Sequence, residues 1–272
     1  MNAQSTGGDA ALLRWGFVSD QQLYSGRWWG LVSNAFVHFE PFHILFNMYW
    51  LWFFGRAFER TLGPLRLILF VLITAFVTSG IQLPFGSGIG FSGVGYALFG
   101  FGWATRTRYP EMARIATPKT VQLFVIWAVI CIVATQFKLM NIANGAHVSG
   151  AIVGYLIGLA VSRGWIQVAA LAGIFFLSAA AVVPIYYNPW SEEWLANQAM
   201  SYLQRKQFAR ALPYLKQYEK IGYDKAWAWS QIAYVENELG HESEMMKAIE
   251  QYNRYRPGDP APSAAEKDKS GD

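Results

Sequence analysis

The chain has 272 residues, 53% hydrophobic and 17% aromatic but only 15% charged, where soluble domains carry about a quarter. Its net charge of +4 lies mostly in alternate loops between apolar runs. No basic stripe is interleaved with stacking aromatics, which argues against a nucleic-acid partner. The single cysteine, Cys131, allows neither an intrachain disulfide nor a cysteine-based metal site, and the four histidines form no HExxH pair.

In chain order, residues 1–27 contain no basic stretch followed by an apolar core, so they do not read as a cleavable leader. They are too polar to span a bilayer and form a loop-like N-terminal segment. Residues 28–188 read as a membrane domain. A spanning helix needs about 20 mostly apolar residues, and six segments are candidates: 34–54, 65–83, 92–104, 121–137, 146–161 and 165–187. The third is short and follows a Gly-rich stretch, LPFGSGIGF, that is poor helix material. Non-helical backbone at membrane depth survives only where protein or a water-filled cavity shields it. The fold class expected is therefore all-α: a polytopic transmembrane helical bundle of about six spans plus a small soluble helical domain.

Basic residues set the expected orientation. Arg56, Arg60 and Arg66 lie in the first inter-span loop, Arg106, Arg108, Arg114 and Lys119 in the third, and Arg163 in the fifth. The second loop has none and the fourth only Lys138. Loops one, three and five are then cytoplasmic, and the C-terminal domain lies on the non-cytoplasmic side.

Polar side chains within spans are costly and suggest function. His43 and Asn47 lie early in the first span, Ser92 opens the third and His147 opens the fifth. These spans run in one direction, so all four residues fall at similar depth in the outer part of the membrane. Serine is a weak nucleophile until a base takes its proton, and neutral histidine is such a base. Asn47 and the Ser92 backbone N–H are suitable donors to an oxyanion, and His43 shares the Asn47 helix face at i, i+4. No Asp occurs between Asp20 and Asp224, so a Ser–His dyad is the economical reading. Tyr96, one turn after Ser92, can hold the imidazole by packing. Gly90 and Gly93 flank the serine so that the chain turns tightly, and Gly150, Gly154 and Gly158 form a small-residue ridge that lets helix backbones approach.

With these stretches assembled, residues 27–158 resemble the rhomboid family of intramembrane serine proteases. His43-Ile-Leu-Phe-Asn47 matches its HxxxN, and Gly55-Arg-Ala-Phe-Glu59-Arg-Thr-Leu-Gly63 its GxxxExxxG loop. GFSG with Tyr96, and Gly145-Ala146-His147-Val-Ser-Gly150, match two further helices. The resemblance implies a Ser92–His147 dyad, an oxyanion site of the Ser92 backbone, Asn47 and His43, and Tyr96 packed on the imidazole. It implies a bracing role for Glu59 and a structural one for His38. It also implies single-span membrane-protein substrates in a bacterial inner membrane, lipid surroundings, and no metal or organic cofactor. Two departures stand out: nothing before Trp28 supplies the family's usual first spanning helix, and Trp29-Gly30 replaces its Trp-Arg. A pseudoprotease that binds membrane clients without cleaving them is the alternative, disfavoured by the retained dyad.

Residues 190–257 show a helical repeat near 34 residues that resembles two degenerate tetratricopeptide repeats. Trp229, Ile232, Ala233, Ile249 and Pro257 take packing or marker positions, and Gly240 takes the inter-helix turn. Leu195, Ala199, Tyr202, Ala211 and Leu215 correspond one period earlier, while Glu236, Met245 and Tyr252 depart from the usual types. Two repeats are few for independent stability, so contact with a protein partner, another copy or the membrane domain is expected. Residues 258–272 are polar and read as a disordered tail.

Overall fold

A computed structural model describes residues 16–161 and 164–256, and its regular elements are all helical among the described residues. Residues 1–15, Arg163, Pro257 and the expected tail lie outside them. The chain divides into two compact units between Tyr186 and Tyr187.

The first unit begins with two short helices, α1 (Asp20–Tyr24) and α2 (Gly30–Ser33), and a 3-10 turn at Asn34–Phe36. Helix α3 (Pro41–Trp50) runs through a π-helical segment, Leu51–Gly55, into α4 (Arg56–Leu62). Then follow α5 (Pro64–Gln82), α6 (Ser92–Thr105), α7 (Pro110–Ile115), α8 (Pro118–Gln136), α9 (Asn144–Ala160) and α10 (Trp165–Tyr186). Four of these helices open on proline, which has no N–H to leave unpaired in a first turn and a φ already suited to it.

The span expectations are met unevenly. Pro64–Phe85, Pro118–Gln136 and Trp165–Tyr186 are long and apolar enough to cross a membrane. The first expected span does not start at residue 34: the chain makes a 3-10 turn, then an extended stretch, and becomes helical only at Pro41. The third begins at Ser92, after the non-helical 86–91 loop, and has 14 residues. At 1.5 Å per residue it is about 21 Å long, short of the roughly 30 Å hydrocarbon core.

Helix α6 is nevertheless the centre of the unit. Val94, Tyr96, Ala97, Leu98, Phe99 and Phe101 are all buried, as expected of a helix apolar on every side. Helix α9 packs on it through the glycine ridge. A Cβ on Gly150 would strike the Gly93 carbonyl oxygen, one on Gly154 the Ala97 carbonyl, and one on Gly158 would sit 2.6 Å from Ala104 Cβ. From the other side, Gly100 has Ala151 and Tyr155 backbone against it. Elsewhere rings carry the packing. Phe58 meets Phe101 at 4.6 Å and Phe70 at 4.8 Å between centroids, and Phe99 stacks on Phe124 of α8 at 4.2 Å. The outer faces of α8 and α10 expose Val129, Ile130, Ile132, Val168, Phe175 and Phe176, side chains suited to hydrocarbon contact.

The second unit consists of α11 (Glu192–Gln204), α12 (Phe208–Ile221), α13 (Lys225–Glu238) and α14 (Glu242–Tyr255). Each packs on its chain neighbour. Ser191 caps α11 by accepting from Trp194 N–H (3.2 Å), and Asp224 caps α13 by accepting from Trp227 N–H (2.9 Å). Leu195, Ala199, Ala211, Leu215, Ile232 and Ala233 are buried, and Gly240 turns the chain between α13 and α14 at φ +77°. Glu236, an unusual residue for a packing position, is buried because it has partners. Its Oε1 is 3.5 Å from Lys216 Nζ and its Oε2 2.8 Å from His241 Nδ1.

The α6–α9 contact generates a stability prediction. Gly154→Ala forces the two backbones apart, and overpacking of this kind costs about 1–3 kcal/mol. Gly95→Ala, with open space at the Cβ position, serves as a control and leaves stability unchanged or slightly raised. Thermal unfolding in detergent distinguishes the two.

Candidate active site

The residues suspected from sequence come together around the N-termini of α6 and α9. His147 Nε2 lies 2.8 Å from Ser92 Oγ, across 55 residues of chain. With Nε2 unprotonated, the serine hydroxyl donates to it. The imidazole is buried, and its Nδ1 has no hydrogen-bond partner among the described residues. The ring is held by stacking instead: Tyr96 lies against it at 4.6 Å with planes 20° apart. Tyr96 is fixed in turn by donating its phenol O–H to the Phe124 carbonyl at 3.3 Å.

The loop before Ser92 is shaped by what packs on it. Gly90 has φ +95°, and a Cβ there would collide with the His43 ring. Glycine is required at this position for both backbone and steric reasons. His38 pins the next residue: its Nε2 accepts from Phe91 N–H at 3.2 Å and also lies 2.9 Å from Asn47 Nδ2. Because a backbone N–H can only donate, Nε2 must be the unprotonated nitrogen, so the buried Asn47 amide donates to it as well. His38 and His43 rings meet edge to face at 4.9 Å.

Ser92, His147, Asn47 and His43 line one cavity of about 1090 Å³. Its walls between α3 and α8 are largely apolar, with Phe42, Phe46, Trp50, Leu123 and Trp127. Phe46 meets Trp127 at 5.3 Å and Trp50 meets Phe124 at 4.6 Å, so the two helices touch here mainly through rings. A serine bonded to a histidine, beside amide donors in a mostly apolar cavity, can carry out acyl transfer.

Residues 25–164 match the Rhomboid domain family, just over half of the chain. The chain belongs to the rhomboid family. Over 158 residues it is 41% identical to the rhomboid protease GlpG of Yersinia pestis (strain Pestoides F) and to that of Yersinia pseudotuberculosis serotype O:3 (strain YPIII). Over 156 residues it is 39% identical to the rhomboid protease GlpG of Yersinia enterocolitica serotype O:8. These alignments cover 55% of this chain and 54% of each relative, so the chain spans about half the length of the curated relatives it matches. Rhomboid membership together with three helices of spanning length makes it an integral membrane protein.

Not every suspected residue of this rhomboid chain reaches the site. Glu59 is exposed on α4, and its side chain makes no hydrogen bond or ion pair among the described residues. Gly93 and Gly150 contribute through helix packing: a Cβ on Gly93 would meet Thr78 Oγ1 at 2.8 Å. Three residues near the site are not among the candidates that the sequence alone selects. The Asp20 carboxylate accepts from Ser87 N–H (3.1 and 3.2 Å). The buried Asn34 accepts from Gly90 N–H through its carbonyl (3.0 Å). The buried Gln82 amide bonds both Gly86 O and Ala146 N–H at 3.2 Å. Gln82 left a clear signal, a polar side chain in the last turn of an apolar helix, and the same rule that selected Asn47 would have selected it; Asn34, at the first residue of an expected span, left a weaker one.

Removing the His38 ring leaves the Phe91 N–H and the Asn47 amide without their shared acceptor. A buried donor so stranded costs about 1–3 kcal/mol. His38→Ala therefore lowers the thermal unfolding midpoint in detergent, whereas Glu59→Gln leaves it in place.

Proposed function

We propose that this rhomboid-family protein is an intramembrane serine endopeptidase, with Ser92 as nucleophile and His147 as general base. The observation that carries the reading is the 2.8 Å contact between Ser92 Oγ and His147 Nε2 inside the 1090 Å³ cavity. Ser92 Oγ attacks the scissile carbonyl carbon while His147 Nε2 takes its proton. The imidazolium then returns a proton to the leaving amine, and water hydrolyses the acyl-enzyme by the same base. Developing negative charge on the carbonyl oxygen is met by the Ser92 backbone N–H, the Asn47 amide and His43. Among the described residues no acidic group bonds the His147 ring; stacking on Tyr96 orients it instead.

The substrates are single-span membrane proteins with small, helix-destabilising residues at the cleavage site. They reach Ser92 between α3 and α8, where side chains rather than close backbone contacts bound the cavity. The membrane is a bacterial inner membrane. The second unit lies on the non-cytoplasmic side, a reading supported by the basic residues of alternate loops. That unit is a pair of tetratricopeptide-like repeats, a reading supported by its spacing: α13 starts 33 residues after α11, and α14 starts 34 after α12. Its role is to dock a protein partner.

In proteoliposomes, Ser92→Ala and His147→Ala each abolish cleavage of a single-span reporter while leaving the protein folded. Asn47→Ala lowers the rate by about 10²–10³-fold, the usual cost of one oxyanion donor. Unchanged cleavage in either dyad variant would overturn the assignment. For topology, protease added outside sealed right-side-out spheroplasts removes the second unit; protection there refutes the orientation.

A further inference from the structure

We infer that Gln82 is a positioning residue that keeps the nucleophile loop in register with the helix carrying His147; this rests on Ser92 and His147 being nucleophile and base. Gln82 closes α5 and is 5% exposed. A primary amide so buried is unfavourable unless both ends are bonded, and here both are. Nε2 donates to the Gly86 carbonyl in the loop leading to Ser92 (3.2 Å). Oε1 accepts from Ala146 N–H, next to His147 (3.2 Å).

One neighbour leaves room for this amide. A Cβ on Gly145 would lie 2.7 Å from Gln82 Oε1, so the glycine before Ala146-His147 makes space for the amide oxygen. At Gly88 the close neighbour is Ala143 Cβ, 2.8 Å from a Cβ there, with Gln82 Cγ in ordinary contact at 3.5 Å. Gln82 touches the two segments that deliver Ser92 and His147 but lies on neither. The Ser92–His147 contact spans two elements, and among the described residues no backbone hydrogen bond joins the 86–91 loop directly to the first turn of α9. The amide supplies that cross-link. A misplacement of about 1 Å between reacting groups can cost 10²-fold in rate.

The experiment measures the rate at which a serine-directed fluorophosphonate labels Ser92 in the full-length protein, with Ser92→Ala as blank. Gln82→Met keeps the volume and loses both hydrogen bonds; its labelling falls by tenfold or more while thermal unfolding shows a folded protein. Gln82→Glu supplies a readout that a space-filling role would not move. A neutral carboxyl can donate to Gly86 O and accept from Ala146 N–H, whereas a carboxylate can only accept. The ratio of Gln82→Glu to wild-type labelling therefore rises as pH falls. Wild-type rates in Gln82→Met, or a ratio flat with pH, overturn the role of Gln82 alone. Absence of Ser92 labelling in the wild type overturns the dyad reading and this inference with it.

Discussion

The close approach of α6 and α9 is the contact on which the rest depends. Three glycines on one helix face carbonyls and small side chains on the other, and Gly100 returns the arrangement. In lipid, apolar surface alone does not draw helices together, so association relies on packing and on close backbone approach. Once these backbones meet, Ser92 and His147, each near the start of its helix, stand at one level and within hydrogen-bond range. Larger residues at the ridge would move the histidine away from the serine before touching either.

Around that pair the protein substitutes packing and uncharged hydrogen bonds for charge. A carboxylate beside a buried imidazole would itself need solvation in a low-dielectric setting. Here Tyr96 stacks on the ring and is tethered to Phe124. The neutral groups His38, Asn47 and Gln82, with the Asn34 carbonyl, fix the surrounding backbone. Asp20 is a charged exception in the network, and it acts on Ser87 rather than on the dyad.

The loop before Ser92 shows how a non-helical segment is kept in order. Each of three backbone N–H groups, on Ser87, Gly90 and Phe91, has an acceptor from the 20–38 segment. Unpaired backbone groups are expensive away from water, and this arrangement satisfies them while leaving the serine facing the cavity. Asp20, in the stretch that reads as a mere loop, thus braces the segment that leads into Ser92.

By itself, the sequence determined the helical class, the apolar segments, the polar residues out of place within them, and the glycine spacing. These are properties of composition and of a 3.6-residue period, visible wherever one element is considered alone. His43 and Asn47 share a face for that reason, and Gly150, Gly154 and Gly158 form a ridge for the same one. Only the tertiary structure decided that His38 accepts from both Asn47 and Phe91, that Gly90 is filled by His43, and that Gly145 yields to Gln82. It also moved the first long helix to Pro41 and gave Glu236 its partners in the second unit. Such contacts join segments tens of residues apart, and no local period encodes the distance between helices. That distance is set by which backbones can touch.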